Sequence, residues 1–273
     1  MTMALRAYNG RLELEGGKMS YIRFGSGEKA LLLLPGAGDG FKTVEGTALP
    51  FALGYRALAK DFTVYAFSRR EPLPEGSSTR DMARDLAAAM DALGLERACV
   101  LGVSMGGMIA QWLAIDHAEK VERLVLAVSA ARPNDTMREA LGRWMELAEQ
   151  GAYKSIMVDT AERSYSARTV KKQRAAYALL GSLTKPRSFQ RFLIQCRACL
   201  EHDAYALLPR ICCPTLVLGG DADRIVSPEG SRELAAQIPG AQLRLYEGLS
   251  HAAYEEAEGF LEQVAAFCLA KQC

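Results

Sequence analysis

Short apolar runs alternate along this chain with longer segments whose apolar residues recur every three or four positions. Ala30 to Leu34 is an unbroken apolar run closed by Pro35-Gly36. A run without polar alternation predicts a strand buried on both faces. Phe62 to Phe67, Ala98 to Leu101, Val121 to Val128, Thr215 to Leu218 and Gln242 to Tyr246 read as further strands. Leu12 to Leu14 and Met19 to Phe24 predict two N-terminal strands around a Gly16-Gly17 turn. Helical spacing fills the gaps at Phe51 to Lys60, Thr79 to Leu93, Pro228 to Ile238 and Tyr254 to Leu269. In Thr79 to Leu93 the stripe is Met82, Leu86, Met90 and Leu93, with Ser78 or Thr79 as the cap.

The alternation breaks at Pro133 and resumes near Leu208. Between them the spacing is helical, with clusters such as Leu141, Trp144 and Met145, then Phe189, Phe192 and Leu193. Repeated βα units imply an α/β fold with a mostly parallel sheet and helices on both faces. The middle segment reads as a helical insertion.

Composition narrows the class. At 273 residues the chain suits one large domain or a domain with an insertion. The formal net charge of +1 argues against a nucleic-acid protein or a polybasic membrane binder. Met1 to Gly10 lacks the apolar core of a signal peptide, and no apolar stretch approaches the roughly 18 residues of a membrane span. The cysteines number seven and sit mostly in apolar segments, which reads as reduced thiols of a cytoplasmic protein. Cys196-x-x-Cys199 lies in a helical stretch without a second ligand pair, so it reads as buried thiols.

The chemistry begins at Gly102-Val103-Ser104-Met105-Gly106, directly behind the Ala98 to Leu101 strand. A buried strand that breaks at G-x-S-x-G and enters a helix is a nucleophile elbow. Small neighbours let the turn close tightly, and the helix N-terminus offers N–H groups and positive dipole to the serine. A serine needs a base, and an imidazole suits that task near neutral pH. The chain holds three histidines. His117 follows the elbow helix and falls roughly 15–20 Å from Ser104 at 1.5 Å per residue. His202 sits in a charged stretch of the insertion and reads as a surface residue. His251 follows the last predicted strand, at the carboxyl end where parallel sheets carry their sites, so it is the expected base. The acid comes from Gly219-Gly220-Asp221-Ala222-Asp223, again behind a strand. Asp223 lies later in the turn and is preferred; Asp221 reads as a turn residue bonding local backbone.

The order Ser104, Asp223, His251 is that of the α/β-hydrolase family. Over nearly its whole length the chain resembles that family, through Leu31 to Gly36, the elbow, Pro214 to Asp223, and Gly248-Leu249-Ser250-His251. The resemblance implies an eight-stranded sheet and a lid after strand six. It sets an expected core at 1–132 and 209–273 and a helical cap at 133–208. It also favours Asp223 as the acid. One oxyanion donor should be the backbone N–H of Met105; by resemblance the second is the N–H of Ala37. Two departures stand out. The family's usual His-Gly is Pro35-Gly36 here, and Ser68-Arg69-Arg70-Glu71 replaces a common Asp-x-x-Gly.

The insertion holds twelve Lys or Arg against eight Asp or Glu. This reads as a solvated face, or as a lid arginine gripping a substrate carboxylate, as in enol-lactone lactonases with similar lids. Met137, Trp144 and Met145 are either helix packing or the wall of an acyl pocket. The expected function is a cofactor-free, metal-free serine hydrolase of a small ester or lactone, acting as monomer or homodimer without nucleic-acid or membrane partners. C–C bond hydrolysis, iminopeptidase and thioesterase or acyltransferase action stay open on the same scaffold. So does a non-catalytic receptor for a small molecule. Dehalogenase and epoxide hydrolase chemistry are disfavoured, because such relatives carry Asp in place of Ser104.

Overall fold

The computed structural model describes residues 5–270, the side chains of 174, 175 and 180 excepted. The ends of the expected core, 1–4 and 271–273, and the side chain of Arg174 in the expected cap therefore lie outside the described residues. Among the described residues eight strands form one sheet. They are β1 (Ala7–Leu14), β2 (Gly17–Phe24), β3 (Lys29–Leu34), β4 (Phe62–Phe67), β5 (Ala98–Val103), β6 (Val121–Ala127), β7 (Thr215–Gly220) and β8 (Gln242–Tyr246). Their order across the sheet is β1-β2-β4-β3-β5-β6-β7-β8. β1 and β2 pair antiparallel, β2 runs antiparallel to β4, and every later pairing is parallel.

The unbroken apolar runs follow from the period of two. Leu32 and Leu34 enter the core on one face of the sheet, and Leu31 and Leu33 enter the core on the other. Helices cover both. The first face carries α2 (Thr79–Ala92), α3 (Met105–Asp116) and α8 (Ser227–Gln237); the second carries α1 (Ala48–Gly54) and α10 (Phe260–Leu269). Ser78 caps α2, accepting from the Asp81 N–H while Asp81 reaches back, a reciprocal capping box.

Between β6 and β7 run α4 (Asp135–Glu149), α5 (Tyr153–Ser164), α6 (Ala167–Leu183) and α7 (Gln190–Leu200). The helical reading of this stretch agrees with the structure. Three boundaries differ. β1 starts at Ala7, because pairing with β2 extends it through polar positions. The expected helix at Phe51 to Lys60 is α1 plus a separate 3₁₀ turn at Arg56–Leu58, since Tyr55 leaves helical backbone angles. The expected helix at Tyr254 to Leu269 is α9 (Ala253–Glu256) and α10, parted at Gly259, whose φ of 73° is left-handed.

Candidate active site

β5 delivers Ser104 at its carboxyl end with φ 55° and ψ −120°, an unfavourable backbone state for a residue with a side chain. The surroundings hold it there. The Ser104 N–H donates to Ala127 O at 2.8 Å, and Ser129 Oγ donates to Ser104 O at 2.9 Å. The glycines are steric requirements. A Cβ at Gly106 would lie 1.9 Å from Leu34 O, and one at Gly102 would lie 2.5 Å from Gly106 O.

Asp223 sits in the loop after β7 and His251 in the loop after β8, and both are buried. His251 Nδ1 lies 2.9 Å from Asp223 Oδ2. The other carboxylate oxygen accepts from the amides of Ile225 at 2.8 Å and Val226 at 3.0 Å. Burial alone would raise the Asp223 carboxyl, but His251 and the two amides outweigh it and hold it below its ordinary value. An imidazole that donates Nδ1–H to this carboxylate keeps Nε2 as its acceptor. Asp221 differs from the expectation of a local backbone bond: it accepts from Gly248 N at 2.7 Å, across to the loop that carries His251.

Ser104 and His251 line one cavity of about 450 Å³. No hydrogen bond joins their side chains among the described residues. Pro35 to Asp39 form another wall. A Cβ on Gly36 would lie 3.4 Å from Ser104 Cβ, so the loop passes against Ser104. Ala37 also lines the cavity. Met105 buries its side chain in the core. Among the described residues, neither the Met105 nor the Ala37 N–H donates to a protein acceptor. The remaining walls are mostly apolar: Phe41, Met108, Leu141, Phe192, Ile225 and Val226. Met137 and Trp144 belong to them; Met145 does not.

A family model described as serine aminopeptidase, S33, matches residues 51–258. The chain belongs to this family of α/β hydrolases. A 2-hydroxy-6-oxononadienedioate/2-hydroxy-6-oxononatrienedioate hydrolase of a Pseudomonas species is 25% identical over 254 residues, covering 89% of each chain. The 3-oxoadipate enol-lactonase 1 of Acinetobacter baylyi is 24% identical, over 77% of this chain and 80% of its own. Among solved structures, an α/β hydrolase from a Medee basin deep-sea metagenome library superposes with a TM-score of 0.85 at 19% identity, over 97% of this chain and 98% of that one. The enol-lactonase of Burkholderia xenovorans superposes at 0.81 with 24% identity, over 94% and 99%.

This α/β hydrolase disposes of its other candidates in physical terms. His117 ends α3, away from the cavity. His202 is a correction: it is buried, not on the surface. Its Nδ1 accepts from Thr79 Oγ1 at 2.8 Å and Trp112 Nε1 at 3.2 Å, and its Nε2 faces Gln111 Oε1 at 3.3 Å. Burial pushes its pKa down to about 3, so it is a neutral core residue. Cys196 and Cys199 are free and buried, and burial pushes the Cys199 thiol up to about 12. No cluster of three or more His, Cys, Asp or Glu among the described residues could hold a metal ion.

Sequence reasoning missed a polar cluster behind the Pro35–Gly40 loop. Arg69 is buried, and its guanidinium donates to Pro35 O. Its own N–H donates to Asp39 Oδ2 at 3.3 Å. Arg191 of α7 pairs with the same oxygen at 2.6 Å and also donates to Asp39 O, Arg69 O and Arg70 O. Gln195 adds a donor to Asp39 Oδ2 at 3.3 Å. The only signal in the sequence is the polar run Ser68 to Glu71 behind an apolar strand. Its partners lie far away along the chain.

Proposed function

We propose that this α/β hydrolase is a cofactor-free serine hydrolase that cleaves small, uncharged carboxylic esters or lactones under a helical cap formed by residues 133–208. The carrying observation is the shared cavity of Ser104 and His251, with Asp223 bonded to the far side of the imidazole. In this reading His251 Nε2 takes the Ser104 proton as Oγ attacks the carbonyl carbon. The oxyanion rests on the N–H groups of Met105 and Ala37, each worth on the order of 3 kcal/mol in such sites. The alcohol leaves with the proton from His251. Water, deprotonated by the same imidazole, then releases the acid and restores Ser104.

The preference for uncharged substrates rests on the walls. Lys42 is the one cation among the described residues lining the cavity, and it is exposed at the edge. Three cap arginines are engaged elsewhere: Arg163 with Asp159 and Glu139, Arg191 with Asp39, Arg197 with Glu75. A carboxylate deep in this cavity would be poorly paired, and burying an unpaired charge is costly.

A second reading is C–C bond hydrolysis, favoured by similarity to the oxononadienedioate hydrolases. The test is a panel of p-nitrophenyl acetate, butyrate and octanoate, a carboxylate-bearing ester, and a 2-hydroxy-6-oxo dienoate. Faster turnover of neutral esters, lost in Ser104→Ala, supports the first reading. Preferential cleavage of the dienoate replaces it with the second.

A further inference from the structure

We propose that Arg69 is a positioning residue for the oxyanion hole, clamping the Pro35–Gly40 loop so that the Ala37 N–H faces the cavity. The inference rests on the serine-hydrolase reading above. It joins two segments that depart from the family pattern and lie far apart in sequence, Pro35-Gly36 and Ser68 to Glu71. In space, the guanidinium of Arg69, inside the second segment, donates to the carbonyl of Pro35 in the first.

The geometry of the loop explains why that contact matters. The Gly36–Ala37 peptide is planar and trans, so its N–H points opposite to its carbonyl. Gly36 O accepts from Asp39 N at 3.3 Å, within the loop's own 3₁₀ turn. The Ala37 N–H is therefore directed away from that turn. The direction holds only if the flanking groups stay put. Arg69 fixes Pro35 O on the upstream side. Downstream, Asp39 is held by the Arg69 amide, by Arg191 and by Gln195. Proline cannot help from within, because it has no N–H to donate. Gly40 completes the clamp: a Cβ there would lie 2.6 Å from Phe192 Cα, so α7 packs directly on the loop.

A buried ion pair is weak evidence for stability. Among the described residues, Asp39 Oδ1, Arg69 Nε and Gln195 Oε1 find no protein hydrogen-bond partner. What the cluster supplies here is a fixed peptide orientation. Misplacement by about 1 Å is enough to cost on the order of 100-fold in rate.

The experiment compares wild type, Arg69→Met, Arg69→Lys and Asp39→Asn on p-nitrophenyl butyrate, with Ser104→Ala as the baseline. A phenylboronate that fills the oxyanion hole serves as a binding probe, against neutral 1-butanol, which carries no oxyanion. Arg69→Met should lower kcat about 10- to 100-fold with KM within about twofold, because a lost or misaimed donor acts on the transition state. Boronate affinity should fall in step, while 1-butanol affinity stays. Arg69→Lys, with one donor in reach of Pro35 O, should recover part of the loss. If Arg69→Met does not fold, the near-isosteric Asp39→Asn carries the test, and the same kcat and boronate losses are expected. An active wild type with unchanged kcat in the folded variants overturns the inference alone. An equal loss of boronate and 1-butanol binding also overturns it, since that marks a general structural role. A wild type inert towards every ester contradicts the proposed function, and this inference with it.

Discussion

At Gly106 a single methyl group decides whether the nucleophile stands. Its Cβ would overlap Leu34 O at 1.9 Å, so Gly106→Ala must push β3 away from α3. A loss of about 1–3 kcal/mol in urea unfolding is expected, with activity gone. Asp223 acts through charge. Asp223→Asn should reduce kcat on the order of 1,000- to 10,000-fold, because the amide no longer holds the Nδ1–H tautomer. Its carboxyl lies below the ordinary 3.8 in the folded protein. The stability it contributes is therefore present above that value and lost as pH falls through the lower, folded value. Ser104, Asp223 and His251 were legible in the sequence because each follows an apolar strand at the same end of the sheet. Arg69 was not. Its meaning lies in Pro35 and Asp39, thirty and more residues away, and nothing local marks a buried arginine.

Helices and strands carry a different kind of prediction. His202 follows α7 and packs between Thr79 of α2 and the Gln111 and Trp112 side chains of α3. The unfolded chain binds a proton on this ring below 6.5, and the folded chain only below about 3. Its contribution to stability is thus whole above pH 6.5 and is lost as pH falls towards 3. Melting temperature should drop across that window, and His202→Asn should flatten the slope while leaving neutral-pH activity in place. Gly142 sits inside α4 with nothing within 4 Å of a Cβ. Gly142→Ala should therefore raise stability by about 0.5–1 kcal/mol in chemical denaturation. The central strands β3, β5 and β7 were legible because burial on both faces leaves almost no polar position in them. Helix ends were less so, since Gly259 breaks α9 from α10 by backbone angle and not by any change of apolar spacing. The burial of His202 escaped for a related reason: Glu201 and Asp203 flank it, and local charge is a poor guide to one inward-facing ring.

The whole molecule is a sheet that gathers three loops at one end and a helical segment that supplies much of the remaining wall. The segment's surplus of cations read as a solvated face or as a carboxylate grip. The structure directs three of its arginines, Arg163, Arg191 and Arg197, to Asp39, Glu75, Glu139 and Asp159. Charge counted along a chain does not say which partner it meets. Met137 and Trp144 of α4 line the cavity together with Met108 of α3. Trp144→Phe should raise the octanoate-to-butyrate rate ratio severalfold by lengthening the acyl space. The central claim is that Ser104 carries the acyl group. It is tested most directly by quenching the protein during turnover of p-nitrophenyl acetate and mapping the acetylated peptide by mass spectrometry. The account predicts one acetyl per chain on Ser104, formed in a burst of p-nitrophenol, and none in Ser104→Ala. An acetyl on another residue, such as Cys199, or turnover that survives in Ser104→Ala, would contradict it.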